Sequence, residues 1–151
     1  MVKKILFICH GNICRSPMAE MVMKDMVAKR GIAAEFEIAS AATSTEEIGN
    51  PVYPPARAEL AKHGIKCEKR GARQIIRRDY TDYDLLIGMD SANIRNMNRM
   101  LGGDPDNKMH LLLEYAGKHR DISDPWYSGN FDATYTDVVN GCEGLLEYLG
   151  Y

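Results

Sequence analysis

The segment Cys9-His10-Gly11-Asn12-Ile13-Cys14-Arg15-Ser16 sets a thiol and a guanidinium with five residues between them, and a hydroxyl directly after the guanidinium. A stretch this short between a strand and a helix must curl tightly, and Gly11 and Asn12 are residue types that tolerate the unusual dihedrals of a tight curl. The curl turns backbone N–H groups toward one centre, and the N-terminal end of a following helix adds positive potential there, which makes a nest for an anion. Arg15 contributes a planar, permanently charged fork matched to two oxygens of a tetrahedral oxyanion. A thiolate at Cys9 would be stabilised by the same field, and Ser16 could hydrogen-bond its sulfur. One site could therefore bind phosphate and present a nucleophile to it.

Each residue alone has an ordinary reading. A strand-end cysteine is commonly a small buried hydrophobe, Arg15 could be a surface ion, and Gly11-Asn12 could be any turn. Together, at this spacing and before a helix start, they favour the reactive loop. The segment lacks the Gly-Lys-Ser/Thr ending of a nucleotide-binding loop and has too few glycines for a dinucleotide fingerprint. The four cysteines stand at 9, 14, 67 and 142; no pair has the spacing of a zinc or dithiol redox centre, so free thiols in a reducing cytoplasm are expected.

The elements that must position this loop follow from composition and periodicity. A chain of 151 residues, 45% hydrophobic and 26% charged, suits one domain spanning 1–151. The formal charge of −2 offers no basic face for nucleic acid or an anionic membrane. The apolar run that begins at Ile5 ends at Cys9, too short for a signal sequence or a membrane span, and reads as a buried strand over Ile5 to Ile8. Ser16-Pro17 reads as a helix start, and the helix should end at Gly31 after Lys29 and Arg30. Phe36 and Ile38 alternate with glutamates in a second strand, followed by a polar loop from Ser40 to Asn50. Pro54 to Gly64 reads as a short helix, Asp84 to Met89 as a third strand and Ser91 to Arg99 as a helix. Lys108 to Leu112 fits a fourth strand, with a helical reading nearly as good, and Tyr135 to Leu149 fits a terminal helix. The alternation predicts an α/β fold: an open four-stranded parallel sheet with helices on both faces and the phosphate-binding loop after the first strand.

Cys9 to Pro17 resembles the signature loop of the low-molecular-weight protein tyrosine phosphatases. Ser40-Ala41-Ala42-Thr43-Ser44, Ala72-Arg73-Gln74, Met89-Asp90 with Asn93 and Arg95, and Asp124-Pro125-Trp126-Tyr127 resemble further family stretches in the expected order. The resemblance implies hydrolysis of phosphotyrosine monoesters through a cysteinyl phosphate. In it Cys9 attacks phosphorus, and Arg15 with the loop residues His10, Gly11, Asn12, Ile13, Cys14 and Ser16 holds the phosphoryl oxygens. Asp124 protonates the leaving phenolate and then serves as base. Asn12, Ser16 and Ser40 would support the loop; Ile13, Glu46, Trp126 and Tyr127 would shape the cleft; and Cys14 would pair reversibly with Cys9 on oxidation. No metal or cofactor is implied. The implied partners are a phosphotyrosine-containing protein or peptide and inorganic phosphate or a similar oxyanion in the loop, with no nucleic acid or membrane.

Three positions depart from the family pattern: Arg70, where a histidine of the loop-supporting network is common; Glu46, where an aromatic often shapes specificity; and His10, where smaller residues are usual. Related arsenate reductases need relay cysteines that the stretch from Met89 to Gly103 lacks. Protein arginine phosphatases of the same fold carry a threonine at the place of Ile13, so Ile13 favours a phenyl ring. A non-catalytic phosphate-binding module would have lost Cys9 or Asp124.

Overall fold

Ile5, Leu6, Phe7 and Ile8 are wholly buried because β1 (Lys3–Cys9) lies inside a sheet that is covered on both faces. The computed structural model describes residues 2–151, and among them the strands run in the order β2 (Phe36–Ala42), β1, β3 (Leu85–Gly88), β4 (Met109–Leu111), all parallel. The period-2 alternation of strand side chains splits β1 between two cores. Ile5, Phe7 and Cys9 pack with α1 (Arg15–Lys29) and α6 (Phe131–Tyr148), where Met18, Val22, Val138 and Leu145 face them. Leu6 and Ile8 pack on the opposite face with Leu86, Met97 of α4 (Ser91–Leu101) and Met109.

The α/β architecture is the expected one, and the differences lie at element ends. Ser40, expected to open a loop, sits inside β2 opposite Phe7, and pairing continues to Cys9 opposite Ala42. A polar residue is tolerated there because its hydroxyl is hydrogen-bonded on both sides. The two readings of 108–112 divide between them: Met109–Leu111 is strand, and a 3₁₀ helix, Leu112–Ala116, follows at once. The terminal helix begins earlier, at Phe131, with the Asn130 side chain accepting from the Ala133 N–H at 3.0 Å as its cap. Gly141 and Gly144 let α6 lie against the 3₁₀ turn: a Cβ on Gly144 would stand 2.0 Å from the Tyr115 carbonyl oxygen. Helix α2 (Pro54–Lys62) matches its proline start and glycine stop, while α3 (Arg77–Asp82) and the single-turn α5 (Pro125–Ser128) have no counterpart in the pattern reading.

Strand order reverses beside β1, since β2 lies on one side of it and β3 on the other. The carboxyl end of such a strand faces the crevice where ligands bind in doubly wound sheets. Cys9 is the last residue of β1, and α1 begins at Arg15.

Candidate active site

Between Cys9 and Arg15 the chain makes its turn with one residue in the left-handed region, Asn12 at φ 60°. Gly11, expected to share that role, is not at positive φ, and a Cβ there would meet Glu47 Cγ at 3.4 Å, an ordinary contact. The first amides of α1 have no acceptor within the helix and open toward the loop. Strand-like bonds persist past the end of β1, with the Thr43 and Ser44 amides donating to the Cys9 and His10 carbonyls, each at 3.0 Å.

Asn12 is fully buried and holds the curl from below. Its Nδ2 donates to Ser16 Oγ at 2.8 Å and to Ser40 Oγ at 2.9 Å, and its Oδ1 accepts from the Arg73 amide at 3.3 Å. Ser40 in turn donates to Glu20 Oε1 at 2.6 Å. Ser16 Oγ receives its hydrogen bond from Asn12, so its own hydrogen is free to point at Cys9 Sγ, 3.0 Å away. The same sulfur accepts the Asn12 backbone N–H at 3.3 Å. Arg70, flagged as a departure, reaches the loop too: its guanidinium donates to the Asn12 carbonyl and, at 3.3 Å, to that of Asn50. Burial lowers its pKa, only partly offset by Glu20 and Cys9.

Arg15 is 2% exposed. Its Nη1 donates to Asp90 Oδ2 and to the Ile122 carbonyl, both at 2.8 Å, and its Nη2 lies 3.6 Å from Asp124 Oδ2. Burial opposes its charge, but Cys9, Asp90 and Asp124 outweigh that and raise its pKa. Asp124 caps α5: its Oδ1 accepts the Trp126 amide at 3.0 Å, and its other oxygen faces Arg15.

The cleft so formed is lined by Cys9, His10, Gly11, Ile13, Cys14, Arg15, Glu46, Glu47, Asp124, Trp126 and Tyr127. Asn12, Ser16 and Ser40, expected as supports, lie beneath it. His10 turns its ring outward to Glu46, with Nε2 3.1 Å from Oε2. Trp126 is half exposed and leans on Tyr53, ring centroids 4.7 Å apart, with Phe131 behind Tyr53 at 6.2 Å. All four cysteines are free. Burial, reinforced by Cys9 and Asp124, pushes the Cys14 thiol up to about 12, and burial also raises Cys67 and Cys142.

Sequence reasoning missed Asp90, Glu20, Tyr53, Glu47 and the Ile122 carbonyl as parts of the site. Asp90 carried one legible signal, an acid three residues before Asn93 at a helix start, which marks the cap that it forms by accepting the Asn93 amide at 2.8 Å. Nothing local marks its bond to Arg15. Chemically, the arrangement offers a nested sulfur, a cation fixed on one edge and open on the other, and a carboxylate across an aromatic-walled opening.

A family model described as low molecular weight phosphotyrosine protein phosphatase matches residues 4–150. The low molecular weight phosphotyrosine protein phosphatase of Rattus norvegicus is 39% identical over 150 residues, covering 96% of this chain and 94% of its own. The crystal structure of YfkJ from Bacillus subtilis matches with a TM-score of 0.95 at 36% identity, over 99% of this chain and 95% of that one. The crystal structure of DARP, described as a drosophila arginine phosphatase, matches with a TM-score of 0.88 at 31% identity, over 98% of each chain.

Proposed function

The chain belongs to the low molecular weight phosphotyrosine protein phosphatase family, and from that premise we propose how its cleft hydrolyses phosphotyrosine. It is a phosphoric monoester hydrolase, and Cys9 is the nucleophile. The observation that carries this reading is the position of Cys9 Sγ, at the end of β1 beneath the Asn12 amide and the Ser16 hydroxyl, in one cleft with Arg15 and Asp124.

In the first step the Cys9 thiolate attacks phosphorus and forms the S–P bond as the P–O bond to the phenol breaks. Asp124 gives its proton to the departing phenolate through Oδ2, the oxygen not engaged by Trp126. Arg15 is steadied through Nη1 by Asp90 and the Ile122 carbonyl, which leaves its Nε and Nη2 edge for two phosphoryl oxygens. With the loop amides from His10 to Ser16 it stabilises charge on the equatorial oxygens, the main demand of phosphoryl transfer. In the second step Asp124 takes a proton from water, water oxygen bonds to phosphorus, and the thiolate leaves with the Ser16 hydrogen bond on its sulfur. Inorganic phosphate is released from the loop.

Ile13, Trp126 and Tyr127 would hold the phenyl ring, and Cys14, a protonated thiol in the same cleft, would trap an oxidised Cys9 as a disulfide. The reading treats 1–151 as one phosphatase domain acting on phosphoproteins in the cytoplasm without nucleic-acid or membrane partners. No helix among the described residues is long and apolar enough to cross a membrane. Comparing turnover of phosphotyrosyl, phosphoseryl and phosphoarginyl peptides tests it. Phosphotyrosine should be preferred, and a preference for phosphoarginine would move the chain toward the arginine phosphatases.

A further inference from the structure

The charges lining the cleft are unevenly balanced. Arg15 is buried and already faces Asp90 and Asp124. Glu46 and Glu47 stand at the mouth, and among the described residues neither has a lysine or arginine within ion-pair distance. Glu46, with 69% of its side chain exposed, meets the His10 ring, and Glu47 accepts from Asn50 Nδ2 at 2.6 Å. The 3.4 Å approach of Glu47 Cγ to a Cβ on Gly11 places that side chain against the phosphate loop. The segment carrying both acids is tied at each end: Ser44 N–H donates to the His10 carbonyl at 3.0 Å, and Gly49 N–H donates to the Ala72 carbonyl at 2.8 Å. The acids are therefore held at the rim.

A phosphotyrosine brings roughly −1.5 to −2 charges into this mouth at neutral pH, so an acidic neighbour in the peptide would face both its own phosphate and two carboxylates. A lysine or arginine beside the phosphotyrosine would pair with those carboxylates. Its aliphatic stem and cation would also find the exposed rings of Trp126 and Tyr127 in the same cleft. Resting on the phosphotyrosine reading, we infer that Glu46 and Glu47 select substrates in which basic residues flank the phosphotyrosine. The protein partner this surface fits is a basic, phosphotyrosine-bearing segment.

The test measures kcat/KM by phosphate release for three phosphotyrosyl peptides that differ only in their flanks: lysine and arginine, alanine, or glutamate. At low ionic strength the basic peptide should exceed the acidic one by about tenfold, and the ratio should shrink to about twofold in about 0.5 M salt, as exposed charge pairs do. Glu46→Gln with Glu47→Gln should flatten the ratio at low salt, and Glu46→Lys with Glu47→Lys should invert it. Equal rates on all three peptides, or a preference that survives the glutamine pair, overturn the selection while leaving the phosphatase reading in place. No turnover of any phosphotyrosyl peptide overturns both.

Discussion

Beneath the phosphate loop, Asn12 and Ser16 are fully buried, and their side chains are bound in a chain of hydrogen bonds running from Cys9 through Ser16, Asn12 and Ser40 to Glu20. Above the same loop, Tyr127 is 85% exposed, Trp126 is half exposed, and Glu46 and Glu47 have no guanidinium or ammonium partner among the described residues. The two regions are separated only by the loop itself. Below it a fully satisfied polar network in low dielectric holds one geometry, and breaking any member leaves a buried group unpaired. Above it water screens every charge, so each contact is worth little and can change without disturbing the fold. The groups that hold the loop and the groups proposed to meet the substrate therefore lie on opposite sides of it.

The largest effects are expected on the reacting groups. Cys9→Ser should lower turnover of an aryl phosphate by a factor on the order of 10⁴ or more, while a phosphate-binding titration stays close to wild type because Arg15 and the amides remain. Persistent turnover would remove Cys9 as nucleophile. Arg15→Lys should reduce kcat/KM by about 10³, since an ammonium cannot serve Asp90, Ile122 and two phosphoryl oxygens at once; a loss under tenfold would show that the fork is not used. Asp124→Ala should slow phenyl phosphate by about 10² to 10³ but hardly affect an ester whose leaving group needs no proton. Equal losses on both esters would assign the acid elsewhere.

Asn12→Ala probes the floor without touching the reacting atoms. It leaves Ser16 and Ser40 short of a donor and puts alanine at φ 60°, for a stability loss of about 3 kcal/mol in urea unfolding. A loss below about 0.5 kcal/mol would mean that the network is dispensable to the fold. The smallest effect belongs to the mouth: Tyr127→Ala should raise KM for a phosphotyrosyl peptide by about three- to tenfold with kcat nearly unchanged and the unfolding curve unmoved, in keeping with one lost ring contact. A large loss of stability there would erase the contrast between floor and mouth.

Cys9, the curl at Gly11-Asn12, Arg15, Ser16 and the start of α1 were legible because their chemistry is contained in consecutive residues, where turn preference, helix start and spacing act locally. The buried run at Ile5 to Ile8 was legible for a similar reason, since an uninterrupted apolar stretch fits a strand covered on both faces. The pattern misled at Ser40, whose polarity reads as loop but whose hydroxyl is met by Asn12 and Glu20 inside β2. It also failed to single out α5, because Asp124-Pro125 reads equally as a turn and as a helix cap followed by its first residue.

The sequence by itself determined that a cysteine, an arginine and a helix start stand together after the first strand, the pattern behind the proposed nucleophile and cation, and through family resemblance it pointed to Asp124 as the proposed acid. Only the tertiary structure decided what holds the cation. Asp90 is 75 positions from Arg15 and the Ile122 carbonyl 107 positions away, and no local signal encodes a hydrogen bond across such separations. It also decided that Arg70 reaches the loop and that Glu46 and Glu47 stand at its mouth without a lysine or arginine partner among the described residues. Those placements depend on where β2, β3 and the segments after them return to the end of β1, and the parallel pairing of the sheet sets that.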